Sequence, residues 1–320
     1  MVARTPRPDR SQRWVCVRSL DVLAQAQVER GGPWTVHSVF ARACNLQHAD
    51  GTLLGIVEAA GGNAPATLVL AEDWDHQPVT ALVQIGATVD KHDEVLYVGQ
   101  RLRLSLRGAA VWQPVALVPA VPLREIARRL RIAQEVAGTS AAAGGLAPLL
   151  SEVLTLAAGT ANPSEPDSGD DLVVQRARQL LSGLSAAIRE SRWSAVREPA
   201  RALSGLGPGL TPAGDDLLAG LALGLRAALQ IVPPTFEAAL TEAVVGRTTD
   251  LAAARVRYAA AGLPDERTHQ LLTALLMDPS EHSVPDTVRA VLAYGHSSGA
   301  DTLVGLLAGI RLGGIRLGLG

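Results

Sequence analysis

The sequence predicts an α+β protein, with an N-terminal antiparallel β domain over residues 14–118 and a mostly helical domain over 119–320. Three observations predict it. Short β-leaning runs with period-two alternation fill the front third, the Pro-bounded stretch Val118–Pro122 interrupts them, and apolar residues recur at helical spacing from Leu123 onward. A chain of 320 residues is also long for one hydrophobic core and suits two domains.

In the front third, Thr35–Phe40, Thr52–Glu58, Thr67–Leu70 and Ala81–Ile85 read as strands broken by Gly, Asn or Asp clusters. Glu94–Val98 and Arg101–Leu106 flank Gly99-Gln100, a pair suited to a tight hairpin turn. In Arg101–Leu106 the leucines alternate with polar residues, as in a strand with one wet face. A small antiparallel sheet or barrel follows. In the back, Leu123, Ile126, Leu130, Ala133 and Ala137 fall on one helical face, and Leu146–Ala157 continues as a second helix. Gly159–Asp170 is a polar turn-forming loop, and Val173, Ala177, Leu180, Leu184 and Ile188 form a further helical stripe. Helices are then expected over about 192–204, 213–231, 234–246, 249–261, 264–278, 285–294 and 299–312, with Pro264-Asp265-Glu266 and Pro285-Asp286 as start signals.

Composition narrows the class. With 48% hydrophobic and 19% charged residues the chain can bury a core and is not disordered as a whole. A net charge of -2 and only 3% aromatic residues leave neither a basic field nor stacking rings for nucleic acid. Cys16 and Cys44 form no C-x-x-C pair and read as buried free thiols of a reducing cytosol. Met1–Arg13 lacks the apolar segment of a signal peptide and reads as a disordered tail. The apolar runs Leu217–Leu225 and Leu303–Ile310, closed by Arg226 and Arg311, fall well short of the roughly 18–20 residues that span a bilayer. The expectation is a soluble cytoplasmic protein.

Two glycine-rich helix starts carry the strongest functional signal. Gly205-Leu-Gly-Pro-Gly-Leu-Thr-Pro-Ala-Gly-Asp-Asp216 supplies glycines that allow positive φ, with Thr211 as a candidate N-cap and Pro212 at the first helical position. Such a turn can present N–H groups to an anion, and Gly207, Gly209, Thr211 and Gly214 are the candidate binding positions. It lacks the Lys of a Walker A loop and follows a helical stretch rather than the strand of a dinucleotide fold. The plain alternative is a tight interhelical turn in which Asp215 and Asp216 complement the helix dipole. Downstream, Gly295-His-Ser-Ser-Gly-Ala-Asp301 echoes it, and both starts run into Asp-x-x-x-Gly-x-x-x-Gly (Asp216/Gly220/Gly224 and Asp301/Gly305/Gly309). Glycines four apart line one side of a helix, so a close pseudo-symmetric helix pair is expected, with both starts at one cleft. His296, Ser297, Ser298, Gly299 and Asp301 are candidates there, the serines as caps. His296 is the candidate acid/base, oriented by Asp215 or Asp216. Between the two starts, Gly246-Arg247-Thr248-Thr249-Asp250 is a third polar helix start, where Arg247 and Thr248 can hold a carboxylate or phosphate. The plain alternatives here are a surface loop residue for His296 and a capped helix with a solvated arginine for Arg247. No cofactor is implied. Asp215, Asp216 and Asp301 give only a weak signal for Mg²⁺.

Taken together these residues resemble the AllH-type subunit of oxamate carbamoyltransferase. The resemblance rests on Gly205–Gly220, Arg247-Thr248-Thr249 and Gly295–Gly305, with His37-Ser38-Val39-Phe40, Asn45-Leu46 and Trp112-Gln113-Pro114 in the front third. One departure is the absence of a Ser soon after the Thr pair, in Asp250–Ala254. The resemblance implies purine-ring nitrogen catabolism through allantoin and a multi-subunit enzyme with partner subunits. It also implies reversible carbamoyl transfer between oxalurate plus phosphate and oxamate plus carbamoyl phosphate. A non-catalytic organising subunit and an acyl-phosphate-dependent phosphotransferase remain the alternatives.

Overall fold

The computed structural model describes residues 12–72, 78–160 and 171–318. The expected tail therefore lies outside the described residues as far as residue 11, as does most of the expected loop after Gly159. Two compact units divide between Pro114 and Val115.

The first unit is an eight-stranded barrel with a short ninth strand. Its strands are β1 (Arg13–Asp21), β2 (Trp34–Val39), β3 (Ala43–His48), β4 (Leu53–Val57), β5 (Thr67–Leu70), β6 (Thr88–His92), β7 (Val95–Val98), β8 (Leu102–Ser105) and β9 (Ala110–Trp112). The order is β5-β4-β3-β2-β6-β7-β8-β1, and β1 closes the ring on β5. A bulge between Val17 and Ser19 shifts the buried set of β1 from Val15 and Val17 to Leu20, because one extra residue turns the side chains over. The sheet is mixed rather than antiparallel: β1 runs parallel to β8 and β9, and β4 runs parallel to β5. Period-two patterning reports which side chains face inward and is silent on a neighbour's direction.

The β7–β8 hairpin forms as expected, with Gly99 at φ 57°. The wet face of β8 does not. Arg103 is buried, bonded to the carbonyls of Gly99, Gln100 and Leu102 and stacked over Tyr97. The expected strand Ala81–Ile85 is also absent. A 3₁₀ turn, Val79–Ala81, ties Leu82 and Val83 back to the Val79 carbonyl, so these two side chains fill the barrel without joining the sheet while Ile85 is exposed. A helix not expected from the sequence, α1 (Val22–Arg30), starts at Asp21, whose carboxylate accepts from Leu23 and Ala24 N–H, and stops at Gly31 with φ 64°.

The second unit is helical: α2 (Leu123–Ser140), α3 (Val153–Ala158), α4 (Leu172–Arg189), α5 (Arg197–Leu203), α6 (Ala213–Leu229), α7 (Pro234–Ala243), α8 (Asp250–Ala260), α9 (Glu266–Leu276), α10 (Val284–Leu292) and α11 (Ser298–Arg316). The expected helix at 146–157 is split into a 3₁₀ turn, Ala147–Ser151, and α3. Helices α6 and α11 are buried on every side, which makes them the core, and the amphipathic helices pack around them. Arginines satisfy the open carbonyl ends of neighbouring helices: Arg129 bonds to Ala274 and Asp278, Arg226 to Ala260, and Arg189 to Ala157. No helix among the described residues is long and apolar enough to cross a membrane.

Candidate functional site

The site is built on the contact between α6 and α11. A Cβ on Gly220 would overlap the Thr302 carbonyl and lie 2.8 Å from Leu306 N. Reciprocally, a Cβ on Gly305 would overlap the Leu217 carbonyl and lie 2.7 Å from Leu221 N. Gly224 meets Leu306 and Ile310, and Gly309 meets Leu221 and Leu225. Both contact series ascend together, so the helices run parallel with backbone against backbone, and both N-termini lie at the same end. The starts are set by a second equivalent pair. A Cβ on Gly214 would overlap the Leu203 carbonyl at the end of α5, and one on Gly299 would overlap the Val291 carbonyl in α10.

Parallel docking gathers a buried polar cluster. Asp216 and Asp301 are fully buried, as is Asp215. Arg255, from α8, lies 3.3 Å from Asp216 through Nε and donates to Thr302 Oγ1 at 2.8 Å. Thr211 and Ser298 hydroxyls bond to each other at 3.0 Å and link the two starts directly. Asp301 Oδ1 accepts from Leu146 N–H at 2.5 Å, and a Cβ on Gly145 would collide with the same carboxylate. Asp215 turns the other way, accepting from Ser204 Oγ, Gly205 N and Thr248 Oγ1 at 3.2, 3.0 and 2.6 Å.

Burial dominates the electrostatics. It raises Asp215 against three lowering hydrogen bonds. It raises Asp216 against Arg255 and the adjacent hydroxyls of Ser298 and Thr211. Burial, with the neighbouring Asp216 charge, pushes Asp301 up to about 6 against the Leu146 N–H and the Ser297 hydroxyl. For Arg255, burial is the largest single influence and opposes the charge, but the Asp216 carboxylate, Tyr294 and Asp265 together outweigh it, so the guanidinium stays firmly charged. Asp216 thus sits among the Arg255 guanidinium and the Ser298 and Thr211 hydroxyls, and Asp301 beside the Ser297 hydroxyl, although none of these donors makes a well-aligned hydrogen bond to either Asp216 oxygen or to Asp301 Oδ2.

Two family models match this chain. One, described as the AllH family N-terminal domain, covers residues 12–111, and the other, described as oxamate carbamoyltransferase subunit AllH, covers residues 203–310. The chain belongs to the AllH family. The second match runs from the end of α5 through most of α11 and so contains both glycine-rich starts. No curated protein and no solved structure matches the chain.

Within this AllH chain, the structure brings Thr211, Gly214, Asp216, Ser298, Gly299 and Asp301 together, and Thr248 joins them through Asp215. Several expected roles change. Thr211 does not cap α6; Pro212 occupies that position and the Thr211 hydroxyl points to Ser298. Neither Ser297 nor Ser298 caps α11, because the first serves Asp301 and the second Thr211. The true side-chain cap among the three starts is Thr249, which holds Ala252 N. Few N–H groups are left over: Gly214 donates to Leu206, Asp215 and Asp216 to Pro212, Gly299 to Tyr294 and Asp301 to Ser297. Gly207 and Gly209, both at φ 103°, lie on the exposed loop before α6, and Gly209 has open space where a side chain would be.

His296 and Arg247 are exposed, and neither side chain bonds to Asp215 or Asp216. The anticipated His–Asp pairing is thus absent, since Asp215 is committed to the α5–α6 turn. The Arg247 backbone nevertheless abuts the turn, where a Cβ on Gly205 would come within 2.5 Å of its carbonyl oxygen. Among the described residues no group of three or more His, Cys, Asp or Glu is arranged to hold a metal ion, so the three aspartates do not form the Mg²⁺ set considered above.

Arg255 is what sequence reading missed. The signal was present, because Ala252, Val256 and Ala259 mark the buried face of α8 and Arg255 falls on it by helical spacing. An arginine on an apolar face needs an acidic partner. The Gly144–Leu146 turn, by contrast, carried no sequence signal. Elsewhere, a cavity of about 240 Å³ lies in the barrel unit, lined by Trp34, Leu46, Leu54 and Leu96 with Lys91 and His92; it includes none of the candidate residues.

Proposed function

We propose that this chain works as a subunit of an oxamate carbamoyltransferase and that the starts of α6, α8 and α11 form its small-anion site. The observation that carries the reading is the parallel docking of α6 on α11, which collects charged and hydroxyl groups at one end of a tightly fixed helix pair. In the proposed reaction the oxamate nitrogen attacks the carbonyl carbon of carbamoyl phosphate. The new C–N bond forms as the C–O bond to phosphate breaks, and the proton lost from nitrogen leaves on phosphate. Arg247 and His296 stand exposed at the rim, where a phosphate or carboxylate would meet them. His296 is the group of suitable type to relay the proton. Gly207 and Gly209 let the loop backbone approach the ligand closely. This reading assigns the chain to the cytoplasmic breakdown of purine-ring nitrogen by way of allantoin, acting with partner subunits.

A second reading has its own support. Asp215 is saturated by three donors and most first-turn N–H groups are already bonded, as in a fixed organising element. One experiment separates the two. With the complete enzyme, phosphate release from carbamoyl phosphate is measured in the presence of oxamate. Arg247→Ala and His296→Ala are each expected to lower turnover more than about tenfold with assembly intact. Full activity in both variants moves the chemistry to the partner subunits and leaves this chain in the organising role.

A further inference from the structure

We propose that the cavity inside the barrel unit is a binding site for a small carboxylate with an apolar body. It concerns a ligand of the barrel itself and stands apart from the carbamoyltransferase reading. The cavity measures about 240 Å³, and Val28, Trp34, Leu46, Leu54, Val89 and Leu96 give it apolar walls. These side chains are all buried. An apolar cavity of about 150 Å³ is enough to take up benzene. The barrel cavity therefore has room for one aromatic ring with a short arm.

Strand register decides which charge this cavity holds. On β6, Val89 faces the barrel core, so Lys91, two residues on, lies on the same face. Lys91 pairs with Leu96 of β7, which is also buried, and directly opposed residues share a face. The other polar residues bordering the cavity alternate to the opposite face: Asp90 pairs with Tyr97, and the His92 ring sits edge-on to that tyrosine. The nearby cations at the ends of α1 and β3 are committed, since Arg30 and His48 both meet Asp50. Lys91 makes no ion pair among the described residues. It is also the only lysine among the 29 lysine and arginine residues of the chain. An arginine would bring a broad planar fork to the mouth, whereas a lysine stem lies along an apolar wall and delivers a compact charge at its tip. An apolar chamber with one compact cation at its mouth fits a ligand whose ring enters while its carboxylate stays at the rim. Oxamate and carbamoyl phosphate have no such apolar body, so the site serves a different molecule.

Hydrocinnamate and hydrocinnamyl alcohol share a phenyl ring on a short chain and differ in charge. Calorimetric titration of the full chain at low salt should show both binding, the acid about tenfold more tightly. Lys91→Met keeps an apolar stem and removes the charge. It should weaken the acid to the level of the alcohol and leave the alcohol unchanged. Val28→Phe fills the chamber and should weaken both compounds by more than about tenfold. The single lysine adds a readout that needs no variant: hydrocinnamate should slow acetylation of Lys91 by acetic anhydride several-fold, followed by peptide mass. Failure of the wild type to bind either compound overturns the site. So does an acid preference that survives Lys91→Met, undiminished binding in a folded Val28→Phe protein, or acetylation of Lys91 at the same rate with and without the acid. None of these measurements involves turnover, so they stand whichever subunit carries the chemistry.

Discussion

Helices α6 and α11 carry the same Asp-x-x-x-Gly-x-x-x-Gly pattern and pack through equivalent atoms, yet their aspartates live differently. Asp216 faces a guanidinium from α8. Asp301 has a backbone N–H from the Gly144–Leu146 turn and only a distant share of Arg255. The glycines fix the backbone geometry, since no side chain can stand between the helices, and the pattern repeats because the contact is reciprocal. The polar surroundings come from whichever element covers each start, and those elements are unrelated. Symmetry in a helix pair therefore extends to packing and stops at electrostatics.

The comparison breaks first at the glycines. Gly220→Leu and Gly305→Leu should each destabilise the helical unit by about 3 kcal/mol or more, the top of the range for overpacking, because the obstruction is backbone carbonyl on both sides. Gly183→Ala in α4, where a Cβ meets nothing within 4 Å, should instead stabilise by up to about 1 kcal/mol. Urea midpoints decide between them, and a Gly220 variant melting with the wild type would refute the backbone contact.

The next effect tests the charge difference. Arg255→Met strips Asp216 of the guanidinium beside it, whereas Asp301 keeps the Leu146 N–H. A loss of about 3 kcal/mol is expected, the lower end for breaking a buried pair because the arginine side chain is 22% exposed. The double variant Arg255→Met/Asp216→Asn should recover much of it. Failure to recover would mean that Arg255 acts through Thr302 or Tyr294 rather than through Asp216.

The smallest effect sharpens the contrast from the other side. Burial sets the folded pKa of Asp301 at about 6, above its ordinary 3.8, so the folded state binds this proton more tightly than the unfolded chain. Its contribution to stability is then greatest below 3.8 and is lost as pH rises through 6. Relative to Asp301→Asn, the wild type should gain about 2 kcal/mol between pH 7.5 and 4.5. Parallel stability curves for the two proteins would show that the carboxylate titrates normally.

Much of the architecture was legible. The helical stripes of α2 and α4 are periodic enough to place to within a few residues, and the double glycine pattern announced a close helix pair. The barrel was only partly legible. Strand direction leaves no trace in alternation, and Ala81–Ile85 is as apolar as a strand while only Leu82 and Val83 serve as filling and Ile85 is exposed. In the site, Asp216 and Asp301 were found because they open repeated motifs. Arg255 was overlooked because a single arginine in an alanine-rich helix resembles a solvated one until its face is known.

By itself, then, the sequence determined which residues had to approach closely. Glycine at 214, 220, 224, 299, 305 and 309 admits contacts that any Cβ forbids, and this property belongs to the residue wherever it folds. Only the tertiary structure decided what each approaching group would meet. The direction of a hydroxyl or a carboxylate depends on partners far apart in the chain: Thr211 chose Ser298 over its own helix, and Asp215 chose Thr248 over His296. Such choices turn on a few ångströms of separation between distant segments, and local residue patterns do not carry that information.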